Sequence, residues 1–178
     1  MCNGVYAEDV VVKIHLQVYA DVPPEILQRA QCAAADIFRK AGIELRWGDN
    51  GQPDDSKLPG IYVVILPDKM ARTIHASSDQ FGLAVFGGRA YIFLDRLTSF
   101  AKDEMVRVSQ LLGPVMAHEI GHLLLGPKSH FTVGIMHGRW RKAEVKHALM
   151  GSLVFTSEQA RIMRSDVRRR TQNENLID

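Results

Sequence analysis

Histidines at 118 and 122 with a glutamate at 119 make His118-Glu119-Ile120-Gly121-His122 the stretch of the chain best equipped for chemistry. On a helix, side chains four residues apart leave one face a single turn apart, so both imidazoles can share a metal ion. Glu119 lies beside that face, where it can take a proton from water at the metal without being a ligand. Zinc suits this set, since it accepts neutral imidazole nitrogens and, with a fourth position open, lowers the pKa of its water to about 7. The chemistry is metal-assisted hydrolysis: zinc polarises a carbonyl and stabilises the oxyanion, while Glu119 passes the water's proton to the leaving group. With 7 histidines in 178 residues, shuffling gives about 0.01 such patterns. Coincidence is therefore improbable, but two ligands do not make a site, and a third must follow.

The downstream chain is punctuated to supply one. Gly126 permits a left-handed turn at the helix end, Pro127 stops the helix, and His130 follows within a short loop. Gly134-Ile135-Met136 then forms a small apolar turn. Gly121, between the histidines, leaves room for another backbone or a ligand. The run from His118 to Met136 resembles the metzincin clan of zincin metallopeptidases, whose pattern is H-E-x-x-H-x-x-G-x-x-H followed by a methionine turn. It is also similar to a group of uncharacterised bacterial proteins regarded as zinc peptidases. By position, the resemblance implies His118, His122 and His130 as zinc ligands, Glu119 as general base and Met136 as the Met-turn residue. The glycine here comes one residue late and His130 two residues late, so both match by role and not by strict spacing. Glu144 and His147 stand as alternative third ligands.

The resemblance further implies an α+β fold: a twisted mixed sheet, an active-site helix carrying the motif packed beneath it, and a C-terminal helix. It also implies an edge strand that pairs with extended substrate, for which the candidate is Gly82, Leu83, Ala84, Val85 and Phe86; the same segment reads equally as an ordinary hairpin arm. The expected activity is a zinc metallopeptidase acting on a peptide or protein. Alternatives are a zinc hydrolase of a non-peptide amide or ester, and a non-catalytic zinc-binding interaction domain. Retention of Glu119 argues against the last, because a closed structural site has no use for a base.

The elements that must hold these residues are readable from periodicity. Val10, Val12, Ile14, Leu16 and Val18 alternate with Lys13, His15 and Gln17, a half-buried strand. Pro23 and Pro24 suit the first turn of a helix whose apolar stripe runs from Ile26 to Ala41 and whose stop is Gly42. Cys32 is assigned to that stripe as a small core residue. Ile43, Leu45 and Trp47 alternate as a second strand, residues 48–60 form a surface loop, and Ile61 to Leu66 reads as a strand covered on both faces. Phe81 to Phe86 and Tyr91 to Leu94 flank Gly87-Gly88 as a hairpin. A helical segment starts near Lys102 and runs to Leu125, with Gly113-Pro114 a candidate break. Phe155-Thr156-Ser157-Glu158-Gln159 has the form of a capping box opening a last helix to about Arg170.

Bulk properties fit one domain, residues 1–178, with flexible ends at 1–9 and 171–178. At 46% hydrophobic and 24% charged, the composition is that of an ordinary globular chain. A net charge of +2 is too small to indicate nucleic acid or a membrane surface. The basic clusters, Arg139 to Lys146 and Arg168 to Arg170, read as solvated helical faces. Two cysteines give no disulfide framework, no apolar run reaches the ~18 residues a membrane span needs, and no signal peptide is visible at Met1. A monomer of unassigned compartment is expected, with export open had a leader been cleaved. His15, His75, His137 and His147 lack ligand spacing and read as side chains at the surface or satisfied by local polar partners, although His137 follows the Met-turn and could line a cleft.

Overall fold

Alternation along residues 10–18 produces strand β1 (Val11–Val18) in the computed structural model, which describes residues 10–48, 60–74, 76–85, 87–126 and 129–174. Val12, Ile14 and Leu16 are buried, whereas Val18 emerges at the strand's end and is 36% exposed. Helix α1 (Pro24–Lys40) follows with Pro24 in its first turn, and Gly42 ends it at φ 73°. Its buried residues are Ala30, Ala34, Ile37 and Phe38. Cys32 is exposed, against the expectation of a core thiol. The reason is helical phase: two residues beyond Ala30 the chain has turned about 200°, onto the opposite face.

Strands β2 (Glu44–Gly48) and β3 (Gly60–Leu66) flank β1 and run parallel to it. β3 is covered on both sides, with Ile61, Val63 and Ile65 in the main core and Val64 and Leu66 in a smaller cluster with Ala71 and Phe93. That second cluster lies under α2 (Asp68–Thr73), a short helix absent from the periodicity reading because six residues carry too little pattern. The Gly87-Gly88 hairpin joins β4 (Gly82–Val85) to the antiparallel β5 (Arg89–Phe93), and β5 runs parallel to β3. The sheet is therefore mixed, in the order β2-β1-β3-β5-β4, with β4 at one edge. Phe86 and His75 lie outside the described residues, as does most of the 48–60 loop.

Three helical expectations need correction. No helix starts near Lys102. Instead α3 (Leu94–Asp103) ends there, Met105 turns through φ 56°, and α4 (Val108–Leu125) begins afresh. Nor does Gly113-Pro114 break α4, since Pro114 sits inside it. Burial overrides the proline: every residue from Leu111 to Gly121 is buried, and α1 approaches so closely that a Cβ on Gly113 would stand 2.6 Å from the Ala30 carbonyl oxygen. Finally, α6 (Ser157–Glu174) runs four residues past the expected end at about Arg170. The capping box that opens α6 has both its bonds: Thr156 N–H donates to Gln159 Oε1 at 2.9 Å and Gln159 N–H donates to Thr156 Oγ1 at 3.3 Å.

Of the basic clusters, the first lies partly on α5 (Lys142–Leu149), and Arg141 just before it and Lys142 and Lys146 within it are exposed. The second is not all solvated, because Arg170 donates to Leu123 O at the C-terminal turn of α4 (2.6 Å) and pairs with Asp166. Helix α4 thus rests on α1, α6, α3, α5 and strands β3 to β5. Fully buried Leu111, Leu112, Met116 and Ile120 hold it there, each stabilising by roughly 1.5–3 kcal/mol. No helix among the described residues is long and apolar enough to cross a membrane.

Candidate metal centre

His118 and His122 leave the same face of α4, and their rings stand 4.7 Å apart, edge to face. Gly126 ends the helix at φ 94°, its N–H donating to His122 O at 3.0 Å. The chain then reverses, with Pro127 and Lys128 outside the described residues, and returns His130 to the same place. The Nε2 atom of His122 lies 3.0 Å from Nε2 of His118 and 3.1 Å from Nε2 of His130. All three ligand atoms fall within 4.8 Å of one another. Neither Glu144 nor His147 joins them. Glu144 instead accepts the Arg141 amide at 2.8 Å and lies 3.3 Å from His137 Nδ1.

The turn at residues 134–137 braces this cluster. Gly134 adopts φ 76°, His137 N–H closes the turn onto Gly134 O at 3.1 Å, and Ile135 N–H donates to Val154 O at 3.0 Å. Ile135 O is thereby held where His118 Nδ1–H donates to it at 2.7 Å. That bond fixes the tautomer: with its proton on Nδ1, the neutral ring presents only a lone pair at Nε2. A second bond, 2.9 Å between His122 Nδ1 and Ser129 Oγ, orients the second ring. Gly121 makes room for side chains, not for the backbone or ligand expected, since a Cβ there would stand 2.7 Å from Met136 Sδ and 2.8 Å from the Phe155 ring. Met136 itself is fully buried.

Electrostatics follow from this burial. The His118 pKa falls to about 4, chiefly through desolvation and despite the Ile135 hydrogen bond that opposes it. The His122 pKa falls to about 3, again through burial first, then through the neighbouring histidines. Glu119 moves the other way, up to about 8, because burial disfavours its anion more than the Ala84 amide favours it. Near neutral pH, then, the His118 and His122 imidazoles are uncharged, and their Nε2 atoms converge with that of His130. One proton can satisfy only one such contact, whereas a cation satisfies all three. This donor set therefore fits a metal ion.

Glu119 faces β4. The Phe93 N–H bond to Phe81 O (2.8 Å) sets the parity of the hairpin, so Gly82 and Ala84 turn their backbone groups to the free edge. There the Ala84 amide bonds the Glu119 carboxyl. Gly82 is needed for this approach, because a Cβ would lie 2.6 Å from Glu119 Oε1. Leu83, Ala84 and Val85 are half-buried. Edge strand, histidines and Glu119 line one open cleft of about 1490 Å³, which His137 also lines.

Periodicity could not reveal several residues that this cleft uses. Trp140 stands edge-on to the His118 ring at 6.1 Å, and Gly138 lets His130 close in, with Nδ1 3.0 Å from where its Cβ would be. Ser129 and Ile135 O act through contacts across a loop, which periodicity does not encode. Comparison with protein-family models finds no match, and comparison with curated proteins finds none either.

Proposed function

We propose that this chain is a zinc-dependent hydrolase that cleaves peptide bonds, with His118, His122 and His130 as ligands and Glu119 as general base. One observation carries the reading: three imidazole Nε2 atoms converge beside a buried carboxyl at the floor of an open cleft. Separations of 3.0 and 3.1 Å are close to the about 3.3 Å that tetrahedral zinc with 2.0–2.1 Å bonds imposes on its nitrogens. Bound zinc supplies Lewis acidity and lowers the pKa of water to about 7. Its positive charge also draws the Glu119 pKa down from its metal-free value, so the carboxylate is available as a base.

The chain's own groups do the rest. A Glu119 oxygen accepts the proton of the attacking water and delivers it to the departing amine. The Ala84 amide orients that carboxylate and Ile135 O orients His118. The free edge of β4 offers outward groups of Gly82 and Ala84 to an extended peptide, which favours a peptide over a compact amide or ester. One Ala84 amide is already engaged by Glu119, so substrate pairing is expected to rely on the Gly82 groups and the Ala84 carbonyl.

Zinc content per purified chain and cleavage of an unfolded protein test this together. About one zinc is expected in wild type, less in His130→Ala, and full zinc without turnover in Glu119→Ala. Full zinc retention by His130→Ala refutes the ligand set, and undiminished turnover by Glu119→Ala refutes the mechanism.

A further inference from the structure

We propose that Arg139-Trp140-Arg141 forms a carboxylate-recognising subsite in the cleft, which Asp79 engages when no substrate is present. The proposal rests on the hydrolase reading and deepens it by naming a substrate class: peptides whose acidic side chain or C-terminal carboxylate lies close to the bond cleaved. Trp140 is the anchor. It is half-buried against the core and edge-on to the His118 ring at 6.1 Å, so the segment is tied to a candidate zinc ligand. The residues on either side of it are exposed, and both line the cleft. Backbone at Arg141 is extended (φ −127°, ψ −173°), which turns neighbouring side chains alternately inward and outward.

Arg139 already holds a carboxylate. Its Nη2 lies 3.6 Å from Asp79 Oδ2, and the two side chains are 78% and 63% exposed. Asp79 belongs to the turn that leads into β4, so this contact crosses from one wall of the cleft to the other. Arg96 pins the turn from beneath, pairing with Asp68 at 2.8 Å and donating to Ser77 O and Gln80 O. An exposed pair at such a distance is weak, worth no more than about fivefold in an equilibrium constant. A substrate carboxylate can therefore replace Asp79, with the planar guanidinium giving it two parallel hydrogen bonds.

Arg141 has no ion pair among the described residues, and Glu144, close by in sequence, is directed at the Arg141 amide and at His137. At the far end of the cleft Asp166 pairs with both Arg169 and Arg170. Of the four cleft arginines, Arg141 is thus the one with no ion pair among the described residues, and Arg139 beside it has the exposed contact with Asp79.

Matched peptides carrying Glu, Gln or Lys near the scissile bond, each with a free or amidated C-terminus, test the subsite in zinc-loaded protein. Arg139→Ala/Arg141→Ala is expected to lower kcat/KM about tenfold on carboxylate-bearing peptides and little on neutral ones. Asp79→Asn is expected to raise it about threefold on the same peptides. Sensitivity to Glu→Gln assigns the carboxylate to a side chain, and sensitivity to amidation assigns it to the terminus. An equal fall on all peptides overturns the proposal. Binding of the Glu peptide to Glu119→Gln protein, read by Trp140 fluorescence, separates the two readings. Arginine-dependent binding without cleavage by wild type refutes the hydrolase and keeps the subsite; arginine-independent binding refutes the subsite.

Discussion

Replacing Glu119 by Gln in metal-stripped protein should make the chain more stable at high pH and change how stability depends on pH. Glu119 is 6% exposed and its pKa is raised from 4.5 to about 8 by burial. The sign follows from proton counting. Between those two values the unfolded chain has released the proton and the folded chain keeps it, so stability is full below pH 4.5 and is lost as pH rises towards 8. The loss is about 1.4 kcal/mol per pH unit, or about 4 kcal/mol from pH 5 to 8. His118 and His122 act in the opposite sense. Their folded pKa values are depressed from 6.5 to about 4 and 3, so they remove stability as pH falls below 6.5. For these three groups together, metal-free protein is most stable near pH 6.5. Urea unfolding of wild type and Glu119→Gln across pH 5–8 isolates the carboxyl, since every other group is common to both. The two curves should diverge by about 4 kcal/mol over that range. Saturating zinc should shrink the divergence, because a cation beside Glu119 favours its anion. Parallel curves in metal-free protein would show that Glu119 titrates like an exposed carboxyl, and the assignment of a buried base would fail.

Gly82→Ala introduces a methyl 2.6 Å from Glu119 Oε1, so the carboxyl must move; kcat should fall about 100-fold with zinc content unchanged, as parallel turnover and metal assays would show. Gly121→Ala places a methyl 2.7 Å from Met136 Sδ and 2.8 Å from the Phe155 ring. It should cost ~1–3 kcal/mol in thermal unfolding and, by shifting the Ile135 carbonyl, weaken zinc about 10-fold or more in a chelator competition. Adding Met136→Ala should recover part of both losses, and additive losses in the double variant would refute the coupling.

How much of this could be read beforehand depends on whether the information is local. The β1 alternation, the Thr156–Gln159 capping box and the Gly87-Gly88 turn are legible because each is set by residues within one element. Strand order is not: the continuous apolar run says that β3 is covered on both faces but not that it lies between β1 and β5. Pro114 misleads because its penalty is local, while what overrides it, the packing of α1 against Gly113, is tertiary. Met105 misleads in reverse, since a non-glycine residue with φ 56° carries no turn signal in its side chain. Cys32 is misplaced by a stripe drawn too wide. In the candidate centre, His118 and His122 follow from helical spacing, whereas the return of His130 through a longer loop needs the turn at Gly126 and the space left by Gly138.

The same long-range contacts explain why a costly arrangement survives in the core of a 178-residue chain. Burial strips protons from two imidazoles and holds one on Glu119, and both effects oppose folding at some pH. Apolar side chains in those positions would fold more easily. What the arrangement gains is a response to one kind of ligand. Any cation seated among the three Nε2 atoms relieves the lone-pair repulsion and favours the Glu119 anion in a single event. Metal affinity, folding stability and the protonation of Glu119 are therefore linked. Titrating zinc into stripped wild-type protein at pH 7.5 should raise the unfolding midpoint and release a proton from Glu119, whereas Glu119→Gln should keep the rise in midpoint and lose that proton. Equal proton release from both proteins, measured in buffers of different ionisation enthalpy, would break the link between the buried carboxyl and the metal.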